Sequence, residues 1–262
     1  MQRITKKLLT FLLGVLSTAI YCEYLIYYVV SIQCSWPVLE QPHSDDQLLK
    51  AFILADTHLL GPRKGHWLDK WRREWQMHQA FQAIMLIHKP DVVFVLGILK
   101  CAEDPKFCYD GILKVKYSRP ILMQHFPLFR VSDAVCTESD APPLPERNKV
   151  FRLKIDALSQ EATDYLASKI KPKVVFGGHT HHGCLQHHVY EKPTKFEFYE
   201  YSVPSFSWRN RADPKYMLVT FTPSGYSVHK CELPKETTIV ITAVLMLFVV
   251  IWLATRRRLI GR

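Results

Sequence analysis

The sequence predicts an α/β domain carried between two membrane-spanning helices. Three observations predict it. Two long apolar runs lie near the chain ends, each with basic residues on its outer side. Between them, short apolar runs alternate with segments of helical period. Several of those short runs end in Asp or His, where open α/β sheets place their ligand sites. The composition fits: 48% of the 262 residues are hydrophobic and 22% charged, which excludes a disordered tail or a collagen-like repeat.

Leu8 to Val30 is the first apolar run. At about 1.5 Å per residue it reaches roughly 35 Å, enough to cross a bilayer. Apolar residues continue past the small residues near Ser17 to Ala19, so an uncleaved anchor is expected rather than a signal peptide. Glu23 interrupts the run and is expected at a polar interface or paired with a tyrosine hydroxyl. Thr237 to Ala254 is the second run. Arg3, Lys6 and Lys7 at one end, and Arg256, Arg257, Arg258 and Arg262 at the other, carry much of the net charge of +10. A nucleic-acid binder concentrates such charge on its folded domain, so that class is excluded. The positive-inside rule places both termini in the cytosol and the middle in a lumen. The division expected is a cytosolic tail over 1–7, spans over 8–30 and 237–254, a lumenal domain over 31–236 and a second tail over 255–262.

Lys50 to Ala55 reads as a buried strand ending in Asp56-Thr57-His58, followed by a loop from Gly61 to Gly65. Trp67 to Lys89 keeps a helical period, and Trp67, Trp71, Trp75, Ala80, Phe81, Ile84 and Ile87 define an apolar face expected to pack on a sheet. Pro90 ends it. Asp91 to Leu96 is a second apolar strand, completing a βαβ unit with parallel strands. Pro120 to Gln124 reads as a strand before His125, and Val131 to Asn148 as a surface loop. Asp156 to Lys171 reads as an amphipathic helix with Leu158, Ala162, Tyr165, Leu166 and Ile170 on one side. Lys173 to Phe176 is a strand before Gly177-Gly178-His179-Thr180-His181-His182. Lys195 to Val203, Tyr216 to Phe221 and Gly225 to Lys230 read as short antiparallel strands.

Seven cysteines are present, with Cys22 inside the first run. Cys34 and Cys231 each adjoin a span, so a bridge between them would clip the two stalks together. The pairing of Cys34, Cys101, Cys108, Cys136, Cys184 and Cys231 stays open. No N-x-S/T sequon begins at Asn148 or Asn210.

The chemistry concentrates in Asp56/His58, His125 and His179/His181. A carboxylate with several neutral imidazoles is a transition-metal ligand set. The glycines before His179 allow the backbone to turn sharply, aiming alternate histidines inward. His182, His187 and His188 read as loop histidines. Cys184, near His181, has no partner that would make it a catalytic thiol. No GxSxG elbow, P-loop, GxGxxG or HExxH is present.

The order ADTH, strand-Gly, QH, GGHTH resembles the calcineurin-type metallophosphoesterases. The stretches CEYLIYY, HWLDKWRREWQMHQAFQ, QHFPLFR and SVPSFSWRN resemble the membrane-anchored members that remodel GPI anchors, over roughly residues 20–97 and 121–236. The resemblance implies an αββα sandwich with a site for two divalent ions, manganese foremost. It implies removal of an ethanolamine-phosphate side branch from a mannose of GPI anchors, during transport of GPI-anchored proteins from endoplasmic reticulum to Golgi. GPI-anchored proteins or the GPI glycan are then the substrate partner. Asp56, His58 and His181 would ligate one ion, and His125 and His179 the other. Such ions, about 3.5–4 Å apart, activate water and polarise the phosphoryl group.

The sequence departs from that pattern in three places. Ile98 stands where the family has a bridging Asp. The Asn-His motif that supplies a further ligand and the leaving-group acid has no match, so the catalytic acid is unassigned. Only 27 residues, Ile98 to Gln124, separate Gly97 from His125, so the region 98–120 reads as a shortening of the fold. Asp104 or Asp110 would have to replace the lost carboxylate. Alternative expectations follow: a catalytically inactive membrane protein that binds GPI-anchored cargo through Trp208 and Arg209, or a one-metal site of other chemistry. Arg209 and Arg211 read first as solvated surface charges.

Overall fold

The computed structural model describes residues 2–39, 48–59, 66–97, 119–152, 154–191 and 195–256. The 61–65 loop, Ile98, Cys101, Asp104, Cys108, Asp110 and the arginines beyond Arg256 lie outside the described residues. The described chain forms a mixed α/β domain of four layers.

Sheet one, in the order β2-β1-β7-β8, comprises β1 (Leu49–Ala55), β2 (Val92–Leu96), β7 (Lys215–Phe221) and β8 (Tyr226–Glu232). Sheet two, in the order β3-β4-β6-β5, comprises β3 (Ile121–Met123), β4 (Val174–Gly177), β5 (Cys184–Tyr190) and β6 (Phe196–Ser202). β1 and β2 are parallel, as the βαβ reading requires, with Ala51 opposite Val92 and Ala55 opposite Leu96. β7 and β8 are antiparallel, as expected. β6 departs from expectation: it runs parallel to β4 and antiparallel only to β5.

The layering follows from alternation along the strands. Ala51, Ile53 and Ala55 of β1, Val174 and Phe176 of β4, and Met217 and Val219 of β7 meet in one core between the sheets. Phe52, Leu54, Tyr216 and Leu218 point the other way, into a core shared with the helices behind sheet one. Val175 and Phe198 face Leu128 and Ala167 behind sheet two.

Behind sheet one lies α3 (Trp67–His88), capped by His66, whose ring accepts from Leu68 N. It ends at His88, with Lys89 in the left-handed conformation just before Pro90. Its buried side is Gln76, Met77, Gln79, Ala80, Ala83, Ile84 and His88. Trp67, Trp71 and Trp75 face outward, against the sequence expectation. Helical period locates an apolar stripe but not what covers it, and small residues here let the helix approach the sheet. Behind sheet two lies α5 (Gln160–Ile170). It begins four residues later than expected because Ser159 caps it, and residues 154–156 form a turn instead. Thr163 and Ala167 are its buried residues, while Tyr165 is exposed.

Two further readings are corrected. The Val131–Asn148 segment is not merely a surface loop: it holds a short 3-10 turn and α4 (Leu144–Arg147), and Asp133, Cys136 and Asp140 are buried. Cys136 is bonded to Cys184, which removes Cys184 as a free thiol. His187 and His188 lie on β5, not in a loop. β5 escaped notice because it is a polar edge strand, buried on one side only.

The N-terminal helix comprises α1 (Gln2–Ile20), a π-helical turn (Tyr21–Leu25) and α2 (Ile26–Ile32). The C-terminal helix is α6 (Glu236–Arg256). Thr5–Ile32, 28 residues, and Glu236–Thr255, 20 residues, are each long and apolar enough to cross a membrane. They pack antiparallel, with Gly14 against Val250 and Cys22 against Ile239, so the Lys6 end of α1 lies beside the Arg256 end of α6. A Cβ at Gly14 would come within 2.5 Å of Val250 Cγ2. Gly14→Leu is therefore expected to destabilise the detergent-solubilised chain by about 1–3 kcal/mol through overpacking. Ser17→Leu, on the exposed side of α1, should leave thermal unfolding unchanged.

Past Ile20 the helix joins the domain. Cys22, Ile26 and Tyr27 are buried in the core behind sheet one, while Tyr24, Leu25, Val29 and Ile32 remain exposed. Glu23 pairs with Arg72 at 2.7 Å rather than with a tyrosine. Cys34 and Cys231 are disulfide-bonded, so the two stalks are clipped together.

Candidate metal centre

The three strand-end clusters meet at one edge of the sandwich. Asp56 follows β1, and its amide donates to Leu96 O of β2 at 3.0 Å. His125 follows β3, and its carbonyl accepts from Gly178 N at 2.8 Å, which fixes the two strand ends together. His179 and His181 follow β4.

Side chains converge within this frame. His58 Nε2 lies 3.0 Å from His181 Nε2, and His179 Nδ1 lies 3.2 Å from His125 Nε2. Asp56 Oδ1 sits between the pairs, 3.7 Å from His125 Nδ1 and 4.0 Å from His181 Nε2. Asp56, His58 and His181 each offer a ligand atom within 4.8 Å of the others. His125 Nδ1 is buried without a hydrogen-bond partner. A second grouping, Asp133, Cys136 and Cys184, is not a comparable donor set, since its sulfurs are bonded to each other.

The backbone is strained where these groups converge. Asp56, His58, His179 and His181 have φ of 53°, 48°, 73° and 65°. Non-glycine residues in that region cost of order 1–3 kcal/mol each, and such strain clusters at functional sites. Gly178 is required by close approach, because a Cβ there would lie 3.0 Å from Asp56 Oδ2 and 3.1 Å from Ala55 Cβ. Asp56 Oδ2 accepts from His179 N at 2.8 Å.

Burial sets the protonation. It pushes the Asp56 carboxyl up to about 7, against the pull of the His179 amide. It pushes His181 down to about 4, helped by the neighbouring His58 and His179. His58, His125 and His179 are lowered by the same desolvation. Neutral imidazoles keep a lone pair free for a cation, so the donor set fits a transition metal.

Four residues outside the expected ligand set support the site. Arg209 donates to His58 O at 2.6 Å and to Asp69 Oδ2 at 2.7 Å, so it is not a free surface charge. Asn210 donates to Asp56 O at 3.2 Å and to Ser205 Oγ at 2.9 Å. Ser205 Oγ donates to Asp56 O at 2.9 Å. Arg211 contacts Asp213 and His182 Nδ1, which ties His182 into this network. The notable deficit is charge: among the described residues Asp56 is the one carboxylate in the converging group, and the position after Gly97 lies outside them.

No family model matches the chain. Individual relatives do. Metallophosphoesterase 1 of Ailuropoda melanoleuca is 33% identical over 334 aligned positions, covering 87% of this chain and 84% of that protein. The chain belongs to the metallophosphoesterase 1 family. Its Drosophila melanogaster homologue is 33% identical over 327 positions, covering 85% of this chain and 86% of that protein. The Danio rerio protein is 31% identical, covering 88% and 87%. Among solved structures, a Vps29 single mutant from Entamoeba histolytica gives a TM-score of 0.30 at 12% identity, covering 71% of this chain and all of that one, too loose a likeness to argue from.

Membership of the metallophosphoesterase 1 family implies divalent metal ions and a hydrolase ancestry. The aligned 87% of 262 residues is about 228, against 334 aligned positions, so about a hundred positions face no residue of this chain.

Proposed function

We propose that this chain is a membrane-anchored, metal-dependent phosphodiesterase. It would remove an ethanolamine-phosphate side branch from a mannose of GPI anchors as GPI-anchored proteins move from endoplasmic reticulum to Golgi. Both termini would be cytosolic and the sandwich lumenal. The observation that carries the reading is the convergence of Asp56, His58, His125, His179 and His181 in a chain of this family.

Asp56, His58 and His181 would hold one divalent ion, and His125 and His179 a second, manganese being the expected metal. Bound there, the ions would supply Lewis-acid polarisation of a phosphoryl group and an activated water. The protein's own contribution is placement. Arg209 holds the His58 backbone, Asn210 and Ser205 hold the Asp56 backbone, and Gly178 admits the Asp56 carboxylate against the His179 amide.

Arg209→Ala is expected to weaken manganese binding by about ten-fold, because outer partners of ligands typically carry that much. Arg209→Lys should recover only part, since one ammonium cannot reach both the His58 carbonyl and Asp69. Calorimetric titration with manganese reads both.

The lone carboxylate favours a second reading, in which the chain binds cargo without hydrolysing it. Two divalent ions beside one carboxylate repel with little compensation. The test is metal per chain by elemental analysis, on full-length protein purified in detergent with manganese, followed by hydrolysis of a GPI glycan bearing ethanolamine phosphate. Two ions and turnover lost in Asp56→Ala support the phosphodiesterase. One ion or none in folded protein, with glycan retained but not cleaved, supports the binding protein.

A further inference from the structure

The outward face of α3 carries three tryptophans, Trp67, Trp71 and Trp75. Trp67 and Trp71 are 68% and 65% exposed, and Leu68 and Trp75 are also exposed. Trp67, Trp71 and Trp75 recur at helical spacing, so their indoles form one stripe. A stripe of this kind is rare on a surface that meets only water.

Contacts along α3 fix where the stripe sits. At its N-terminal end, Arg72 pairs with Glu23 and Trp75 Nε1 donates to Glu23 O at 3.2 Å. At its C-terminal end, His88 O accepts from Trp36. α3 therefore rises beside α2, away from α1, and its first turns lie level with the junction of α1 and the π turn. Arg73 pairs with Glu236 at 2.8 Å, which brings the start of α6 to the same level. Below that level the outer sides of both long helices are apolar and exposed, at Leu16, Ile20 and Val244 for example. The Glu23–Arg72 and Arg73–Glu236 ion pairs thus mark the height at which both long helices meet the domain, and the indoles lie beside them.

We infer that the N-terminal half of α3 lies on the bilayer surface, with Trp67 and Trp71 seated among the lipid headgroups. Indoles favour that zone because a flat apolar body meets acyl chains while the N–H stays wet. The occupant is the membrane itself, since the same stripe continues onto helices that read as entering it. One consequence concerns the site. Asp69, on the first turn of α3, binds Arg209, and Arg209 binds the His58 carbonyl. The metal centre is then two side chains from the membrane surface, suited to phosphodiesters borne by lipid-anchored molecules.

The inference rests on the reading of α1 and α6 as spans, and the experiment separates the two. Full-length protein is reconstituted in phosphatidylcholine nanodiscs containing lipids brominated close to the headgroup, and tryptophan quenching is measured. Trp252, near the far end of α6, reports on the span. The double variant Trp67→Phe/Trp71→Phe should lose about half or more of the quenching, as expected for interfacial indoles. Trp252→Phe should lose a separate share. If the double variant quenches like wild type while Trp252→Phe loses the signal, α3 lies off the bilayer and the inference fails with the spans intact. If wild type is not quenched at all, both fail. Unchanged quenching together with dissociation of a dimer in the double variant would assign the stripe to a second copy and overturn the inference.

Discussion

Asp56→Asn is expected to weaken manganese binding by at least about 100-fold while making the cation-free protein more stable above pH 7. The first effect follows from charge. Among the described residues Asp56 is the one carboxylate in the converging group, and its Oδ1 lies between both histidine pairs. Four neutral imidazoles without it offer lone pairs but no compensation for a divalent charge. The second effect follows from burial, which lifts the carboxyl to about 7. In the unfolded chain it titrates near its ordinary value of 3.8. Between those values the folded protein holds a proton that the unfolded chain has lost, so stability falls as pH rises through the window and stays low above it. A shift of about three units corresponds to roughly 4 kcal/mol. Asparagine is neutral throughout, keeps an oxygen for the His179 amide, and escapes the loss. Thermal unfolding with chelator at pH 5 and pH 8 tests this: the variant's advantage should be large at pH 8 and small at pH 5.

The same carboxyl predicts how cation binding depends on pH. His181 is neutral above about 4 and does not compete for protons near neutrality. Asp56 does, so manganese uptake below about pH 7 must displace its proton. Affinity should fall by about ten-fold per unit of pH just below 7 in wild type, and the fall should be shallower in Asp56→Asn.

How much of this was legible depends on the range of the forces involved. β1 and β4 announce themselves by continuous apolar runs, because both faces of these strands are covered, and β2 shares the apolar run although it is a half-buried edge strand. The Asp-x-His and Gly-His-x-His turns follow from local geometry, so their positions at strand ends could be read. The wrong face of α3 could not be avoided from period alone: an indole is equally apolar against lipid or sheet. β5 hid because an edge strand alternates polar and buried residues without a long apolar run. The Arg209–Asp69 pair spans 140 residues, and no local signal foretells it. The Ser159 cap, by contrast, was available in the sequence as a helix-start signal.

Glu200→Ala is expected to cost about 2–6 kcal/mol, because two buried groups lose their hydrogen-bond partner at about 1–3 kcal/mol each. The Glu200 side chain is fully buried on β6. Its Oε1 accepts from Leu128 N at 2.7 Å, and its Oε2 lies 2.9 Å from His188 Nε2 on β5. Alanine leaves both groups without this partner, beside Phe198 and Val175. Glu200→Gln keeps an acceptor for Leu128 and offers its amide to His188, so about 1–2 kcal/mol is expected. The pair also bears on the metal centre. Leu128 lies three residues after His125, in the segment that leaves β3 and crosses to the far side of sheet two. Without Glu200 that segment loses its tie to β6, and His125 loses the support that keeps it against His179. Urea unfolding should therefore show the large loss in Glu200→Ala, and manganese titration should show weakened binding in alanine but near wild-type binding in glutamine. Equal binding in all three proteins would mean that the Gly178–His125 strand-end contact alone positions the histidine, and that Glu200 serves the core only.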